Sequence, residues 1–136
     1  MSPFSHSLYH LRTRLRLRQV EFARRLGYEQ SYISALERCA KGAPPPDFLA
    51  RLSDTFELDM AAIAALKQAW DDSQRQLTIP LDAPAELYQA CNELRRQITQ
   101  LHPAQIEMIR SVLRMPAELS QTAPSPADYQ RDRPHI

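Results

Sequence analysis

Few residues in this sequence have the types and spacings that chemistry requires. The two cysteines, Cys39 and Cys91, stand far apart with no second cysteine beside either, which excludes a disulfide scaffold and a cysteine-based zinc module. Cys39 follows Arg38 and precedes Lys41; nothing else argues for a lowered pKa, so it reads as an inert thiol rather than a redox switch. His6 and His10 fall at i, i+4, the spacing of a shared metal on a helix. No third ligand stands within sequence reach, so a solvated helix face is the simpler reading, and no metal or cofactor is expected. His102, just before Pro103, reads as a helix cap. There is no Ser/His/Asp or Cys/His signature, no HExxH and no carboxylate pair with a reason to be perturbed, so no enzyme is expected. What is left is a row of polar side chains in QVEFARRLGYEQSYISALER, residues 19–38. Two short helices joined at Gly27 would make a helix-turn-helix, whose second helix can enter a major groove. Gln30, Ser31, Ser34, Ala35 and Arg38 would then face outward, above the anchors Tyr28, Ile33 and Leu36.

The elements that must position this row are short helices with tight breaks. Leu8, Leu11 and Leu15 mark an amphipathic helix from about Ser5 to Leu17. Gln19–Leu26 is a second helix, with Phe22, Ala23 and Leu26 on one face; Ala23 is small where the two helix backbones pass close, and Gly27 supplies a left-handed turn. A third helix starts near Glu29 or Gln30, buries Ile33 and Leu36 and ends around Arg38. CAKGAPPP cannot be helical, because consecutive prolines remove donors and force extended geometry. A fourth helix starts near Asp47 with Leu49, Leu52 and Phe56 inward, and a fifth follows Asp59 as a cap, with Met60, Ile63, Leu66 and Trp70 as one apolar stripe.

Beyond them, residues 74–83 break the helical period and read as a linker; Pro80 limits any extended piece over Gln76–Leu81 to an edge. A sixth helix opens after Pro84, where Leu87, Cys91, Leu94, Ile98 and Leu101 repeat at spacings of 4, 3, 4 and 3, a narrow seam suited to helix packing. Pro103 opens a seventh, with Ile106, Ile109 and Leu113 inward. The expected organisation is an all-α chain. It has a five-helix domain over 1–73, the linker 74–83, a helical hairpin over 84–115 and a disordered tail over 116–136. The hairpin is too small to make a good core alone. It is expected to pack on the first five helices, on a second subunit, or on both.

Composition narrows the function classes. The 136 residues carry 17 Lys+Arg and 16 Asp+Glu, a net charge of +1. The balance hides a division: residues 1–51 hold nine basic and four acidic side chains, while 52–72 hold Lys67 against five acidic ones. That asymmetry fits one face meeting a polyanion. No apolar run is long enough to span a bilayer, and the N-terminus lacks the apolar core of a secretory signal, so a cytoplasmic protein with reduced thiols is expected. Two glycines are too few for a phosphate-cradling loop or a dinucleotide fingerprint.

The ordered features over residues 8–72 resemble the lambda-repressor-like, or Xre/Cro-type, family of bacterial and phage DNA-binding proteins. Leu11-Arg12, Gln19-x-x-Phe22-Ala23, Leu26-Gly27, Ser31-Tyr32-Ile33-Ser34, Glu37-Arg38 and the Leu49/Leu52/Phe56 helix carry the resemblance. It implies that Gln19 bonds a DNA phosphate beside the free N–H groups of its helix. Gln30 would read a base, since its amide can engage adenine N6 and N7 together. Ser31 and Ser34 would touch bases, sugars or phosphates, and Ala35 would meet a thymine methyl. Arg18, Arg38 and Lys41 would hold phosphates, and Arg12 would form a partly buried structural pair with Glu37. Three positions depart from the family's habit of glycine: Cys39 after Glu-Arg, the turn holding Arg16 and Arg18, and Glu57.

The expectation is a sequence-specific transcriptional regulator, most simply a repressor, bound to double-stranded DNA as a homodimer on a palindromic operator. The hairpin seam would hold the dimer or a protein partner. Two alternatives are a DNA-binding antitoxin, whose hairpin or tail would hold a toxin, and an adaptor that keeps the fold for protein contacts alone.

Overall fold

A computed structural model describes residues 1–116, and the tail expected over 116–136 lies, from 117 on, outside the described residues. The described residues form seven α-helices and no strand. These are α1 (Pro3–Arg14), α2 (Gln19–Leu26), α3 (Gln30–Glu37), α4 (Pro46–Phe56), α5 (Met60–Asp72), α6 (Ala85–Gln97) and α7 (Pro103–Leu113). The chain divides into two compact units, Met1–Leu77 and Thr78 onward.

In the first unit α1 packs on α5 and α3, α2 on α3 and α4, and α4 on α5. Leu8, Leu11, Phe22, Ala23, Leu26, Ile33, Leu36, Leu52 and Leu66 form the core that helical periodicity predicts. Phe4 and Phe48, which the periodicity reading passed over, complete it: the two rings meet edge to face with centroids 6.1 Å apart. Their inclusion shifts two helices. Helix α1 begins at Pro3, capped by the Ser2 hydroxyl accepting from the Ser5 N–H, and ends at Arg14 rather than Leu17. The inward line of α4 runs through Phe48 and Leu52, leaving Leu49 half-buried.

The stripe expected on α5 is only half inward. Asp59 caps the helix by accepting from the Ala62 N–H at 2.8 Å. Met60, however, is 87% exposed and Ile63 also faces solvent, while Leu66 and Ala69 are buried. A stripe at helical spacing drifts around the axis, and only its C-terminal half, Leu66 and Trp70, joins the core. Two side chains tie that half down. The Trp70 indole N–H donates to the Pro44 carbonyl at 2.7 Å, anchoring the proline loop. The buried Ser73 hydroxyl accepts from the Phe4 N–H at 2.8 Å and donates to the Ala69 carbonyl at 2.7 Å, joining the end of α5 to the start of α1.

The second unit has a different character. Neither α6 nor α7 buries a single residue. Helix α6 stops at Gln97, so Ile98 is its C-cap and Leu101 lies beyond it; only Leu87, Cys91 and Leu94 of the expected seam are helical. The Tyr88 hydroxyl donates toward the Pro80 and Leu81 carbonyls at 3.0 and 3.2 Å, fastening the preceding segment to α6. His102 caps α7: its Nδ1 accepts from the Ala104 N–H, and Gln105 reaches back to the His102 N–H.

Candidate nucleic-acid interface

Helices α2 and α3 are joined at Gly27, whose φ of 83° is the left-handed conformation that a Cβ resists. The Tyr28 N–H closes the turn on the Ala23 carbonyl at 2.9 Å. Tyr28, Tyr32 and Phe48 cluster beneath the turn, with the Tyr28 ring 5.1 Å from Tyr32 and 5.3 Å from Phe48. Arg51 finishes the support: its guanidinium lies 5.0 Å from the Tyr28 ring centre and donates to the Leu26 carbonyl at 3.1 Å, capping the C-terminus of α2. Sequence reading counted Arg51 only as charge, because no local pattern marks a contact to a carbonyl 25 residues earlier.

A polar chain runs from the core to the outer face of α3. Arg12 Nε donates to Glu37 Oε1 at 2.6 Å, and the two side chains are only 13% and 4% exposed. The Arg12 guanidinium also donates to the Leu17 carbonyl at 2.8 Å, which fixes the turn between α1 and α2. The other Glu37 oxygen accepts from the Gln19 amide at 2.7 Å. The Gln19 carbonyl oxygen in turn lies 3.5 Å from the Gln30 amide nitrogen, at the limit of a hydrogen bond. The expected Arg12–Glu37 pair is present and reaches further than a pair.

Gln19 is thus placed differently from a free phosphate ligand, since one amide hydrogen is committed to Glu37. Anion capacity at this point lies in the backbone. Arg18, the N-cap of α2, makes no side-chain cap, so the first N–H groups of α2 keep their capacity for an anion. On α3, Gln30 and Ser31 are exposed and Ser34 is half-buried. Ala35 is a correction: it is buried, because α3 turns that position toward the core with Leu36 and Glu37, and it cannot meet a thymine methyl as placed. Arg38 is exposed and donates to the Ser34 hydroxyl at 3.2 Å. The Lys41 ammonium sits 5.1 Å from the Tyr32 ring centre. Arg18, Arg38 and Lys41 all stay exposed, whereas Arg24 and Arg25 are paired with Glu21 and hold it below the usual carboxylate range.

The three positions where the resemblance leads to an expectation of glycine all have a left-handed backbone. Arg16, Cys39 and Glu57 have φ of 58°, 58° and 49°, and they are the non-glycine residues with positive φ among those described. Cys39, just past α3, is exposed, and hydrogen bonds from Ser2 lower its thiol pKa, a contact that crosses from the start of α1.

Two short helices are thus held at a left-handed glycine, with a polar row outward on the second. Residues 4–66 match the helix-turn-helix domain family. The match runs from α1 to the middle of α5, with α2 and α3 at its centre. No curated protein and no solved structure matches the chain.

Proposed function

We propose that the protein is a sequence-specific transcriptional regulator of the Xre/Cro type, acting in the cytoplasm as a repressor and binding a palindromic operator as a homodimer. The observation that carries this reading is the chain Arg12–Glu37–Gln19–Gln30, which ties an exposed amide on α3 to a buried ion pair. A long flexible side chain reads a base well only if its orientation is set before contact. Gln30 and Ser31 set sequence, while Arg18, Arg38, Lys41 and the N-terminal N–H groups of α2 hold phosphates and set register. Two-fold operators follow from dimers of this motif, with recognition helices about 34 Å apart.

The dimer contact is assigned to α6 and α7. Leu87, Ile98, Ile106 and Ile109 are exposed there, and a cleft between the two helices is lined by Leu94, Leu101, Met108 and Ile109. A two-helix unit without buried residues lacks the core to stand alone, which supports pairing with a second copy. The same cleft supports a second reading, a DNA-binding antitoxin whose partner fills it. Selection of binding sites from randomised duplexes tests the main reading. Two related half-sites 10–10.5 base pairs apart, centre to centre, are expected. A single asymmetric site, or no enrichment, contradicts it.

A further inference from the structure

His6 and His10 lie one turn apart on α1, on the face opposite Leu8 and Leu11, and both are exposed. They take no part in the polar chain that reaches α3. Their Nε2 atoms are 2.9 Å apart, one donating to the other, and the rings cross at 80° with centroids 4.3 Å apart. The rings therefore meet at an angle rather than end to end, with the two Nε2 atoms side by side on the exposed face. We propose that this pair is a chelating site for a tetragonal divalent ion, Cu(II) or Ni(II).

The spacing selects the metal class. Two nitrogens each ~2.05 Å from one metal and at right angles are ~2.9 Å apart, whereas a tetrahedral centre spreads them to ~3.3 Å. The 2.9 Å that the ring-to-ring hydrogen bond now spans equals the edge of a square-planar or octahedral shell, the geometry that Cu(II) and Ni(II) take with nitrogen donors, so such an ion could replace the shared proton with little movement of the rings. Both rings bind as neutral imidazoles with the proton on Nδ1. The ring that now donates from Nε2 changes tautomer on binding.

The neighbours hold the ligands in place. The Tyr9 ring packs edge-on to His10 with centroids 5.8 Å apart, and the Arg12 guanidinium lies 5.5 Å from the Tyr9 ring centre on its way to Glu37. The His6 N–H donates to the Ser2 carbonyl at 3.1 Å, so both ligands stand on formed helix. No group of three or more His, Cys, Asp or Glu is assembled for a metal among the described residues. Water or an added ligand completes the shell, and the ion exchanges. A chelate across one turn favours the folded helix over the unfolded chain, so the metal stabilises the domain without touching Gln30.

Titration of the tag-free, full-length protein with NiCl2 by calorimetry, in the wild type and in His6→Ala and His10→Ala, tests the site. One Ni(II) per chain is expected, with affinity falling at least tenfold in each variant. The Tm should rise by several degrees in the wild type alone, and the Cu(II) complex should show two nitrogen donors by electron paramagnetic resonance. Both side chains are exposed, so the variants should keep the helical circular dichroism of the wild type. Equal Ni(II) affinity in all three proteins would place the ion on another group and overturn the proposal. Tighter binding of Zn(II) than of Ni(II) would overturn the tetragonal assignment.

Discussion

Glu37 accepts from two side chains that belong to different helices, Arg12 of α1 and Gln19 of α2, while itself ending α3. A carboxylate this buried is stable only because both oxygens are occupied. Glu37→Ala leaves the Arg12 guanidinium without its counter-charge and should cost about 3 kcal/mol, measured by urea unfolding, with Glu37→Gln costing less. Equal stability of Glu37→Ala and wild type would show that the pair does not hold the helices together. Cys39 offers a second test at this scale. Its thiol is held below the usual range first by the Ser2 side chain and then by the Ser2 backbone. A lower pKa means more thiolate at a given pH, so the midpoint of its alkylation by iodoacetamide should lie below that of a free thiol. Ser2→Ala should raise that midpoint; an unchanged one would assign the shift elsewhere. Residue types and spacing made the Arg12–Glu37 pair legible through the resemblance they carry. Nothing local could reveal the Ser2–Cys39 and Arg51–Leu26 contacts, which join residues far apart in sequence. The inward side of Ala35 is not readable because a helix of eight residues gives too few positions to fix which face is inward.

Helix ends carry the next level of information. Each of Arg16, Cys39 and Glu57 adopts a left-handed backbone that costs an L-residue about 1–2 kcal/mol, yet the chain keeps the turns that glycine would make without strain. The turn is therefore dictated by the helices on either side rather than by the residue in it. Glu57 shows this plainly: its N–H still closes on the Ser53 carbonyl, as does that of Leu58. Glu57→Gly should stabilise the domain by about 1 kcal/mol, offset in part by the greater freedom of glycine in the unfolded chain. The Tm should rise by about 4 °C. A fall in Tm would mean that the Glu57 side chain makes a contact worth more than the strain. Helix order, Gly27 and the Asp59 cap were readable because each has a local signature. The expected start of α1 misses Pro3 as a first-turn residue, which leaves Phe4 outside the expected core, whereas Phe48 lies inside the expected fourth helix but off the inward line drawn through Leu49.

At the scale of the whole molecule the two units differ in kind. The five-helix unit has a closed core, whereas α6 and α7 present Leu87, Ile98 and Ile106 to solvent. If that surface pairs two copies, affinity for a two-fold operator depends on it as well as on α3, since each half binds weakly without the other. Leu94→Glu should then dissociate the dimer in sedimentation and weaken operator binding without changing which sequence is preferred. The most direct test is fluorescence anisotropy of the full-length protein on the DNA upstream of its own gene, at two salt concentrations, beside a scrambled duplex and the Gln30→Ala variant. The predicted result is tight binding that exceeds the scramble, weakens as salt rises, and loses its preference in Gln30→Ala. No binding to either duplex at low salt would contradict the DNA-binding reading.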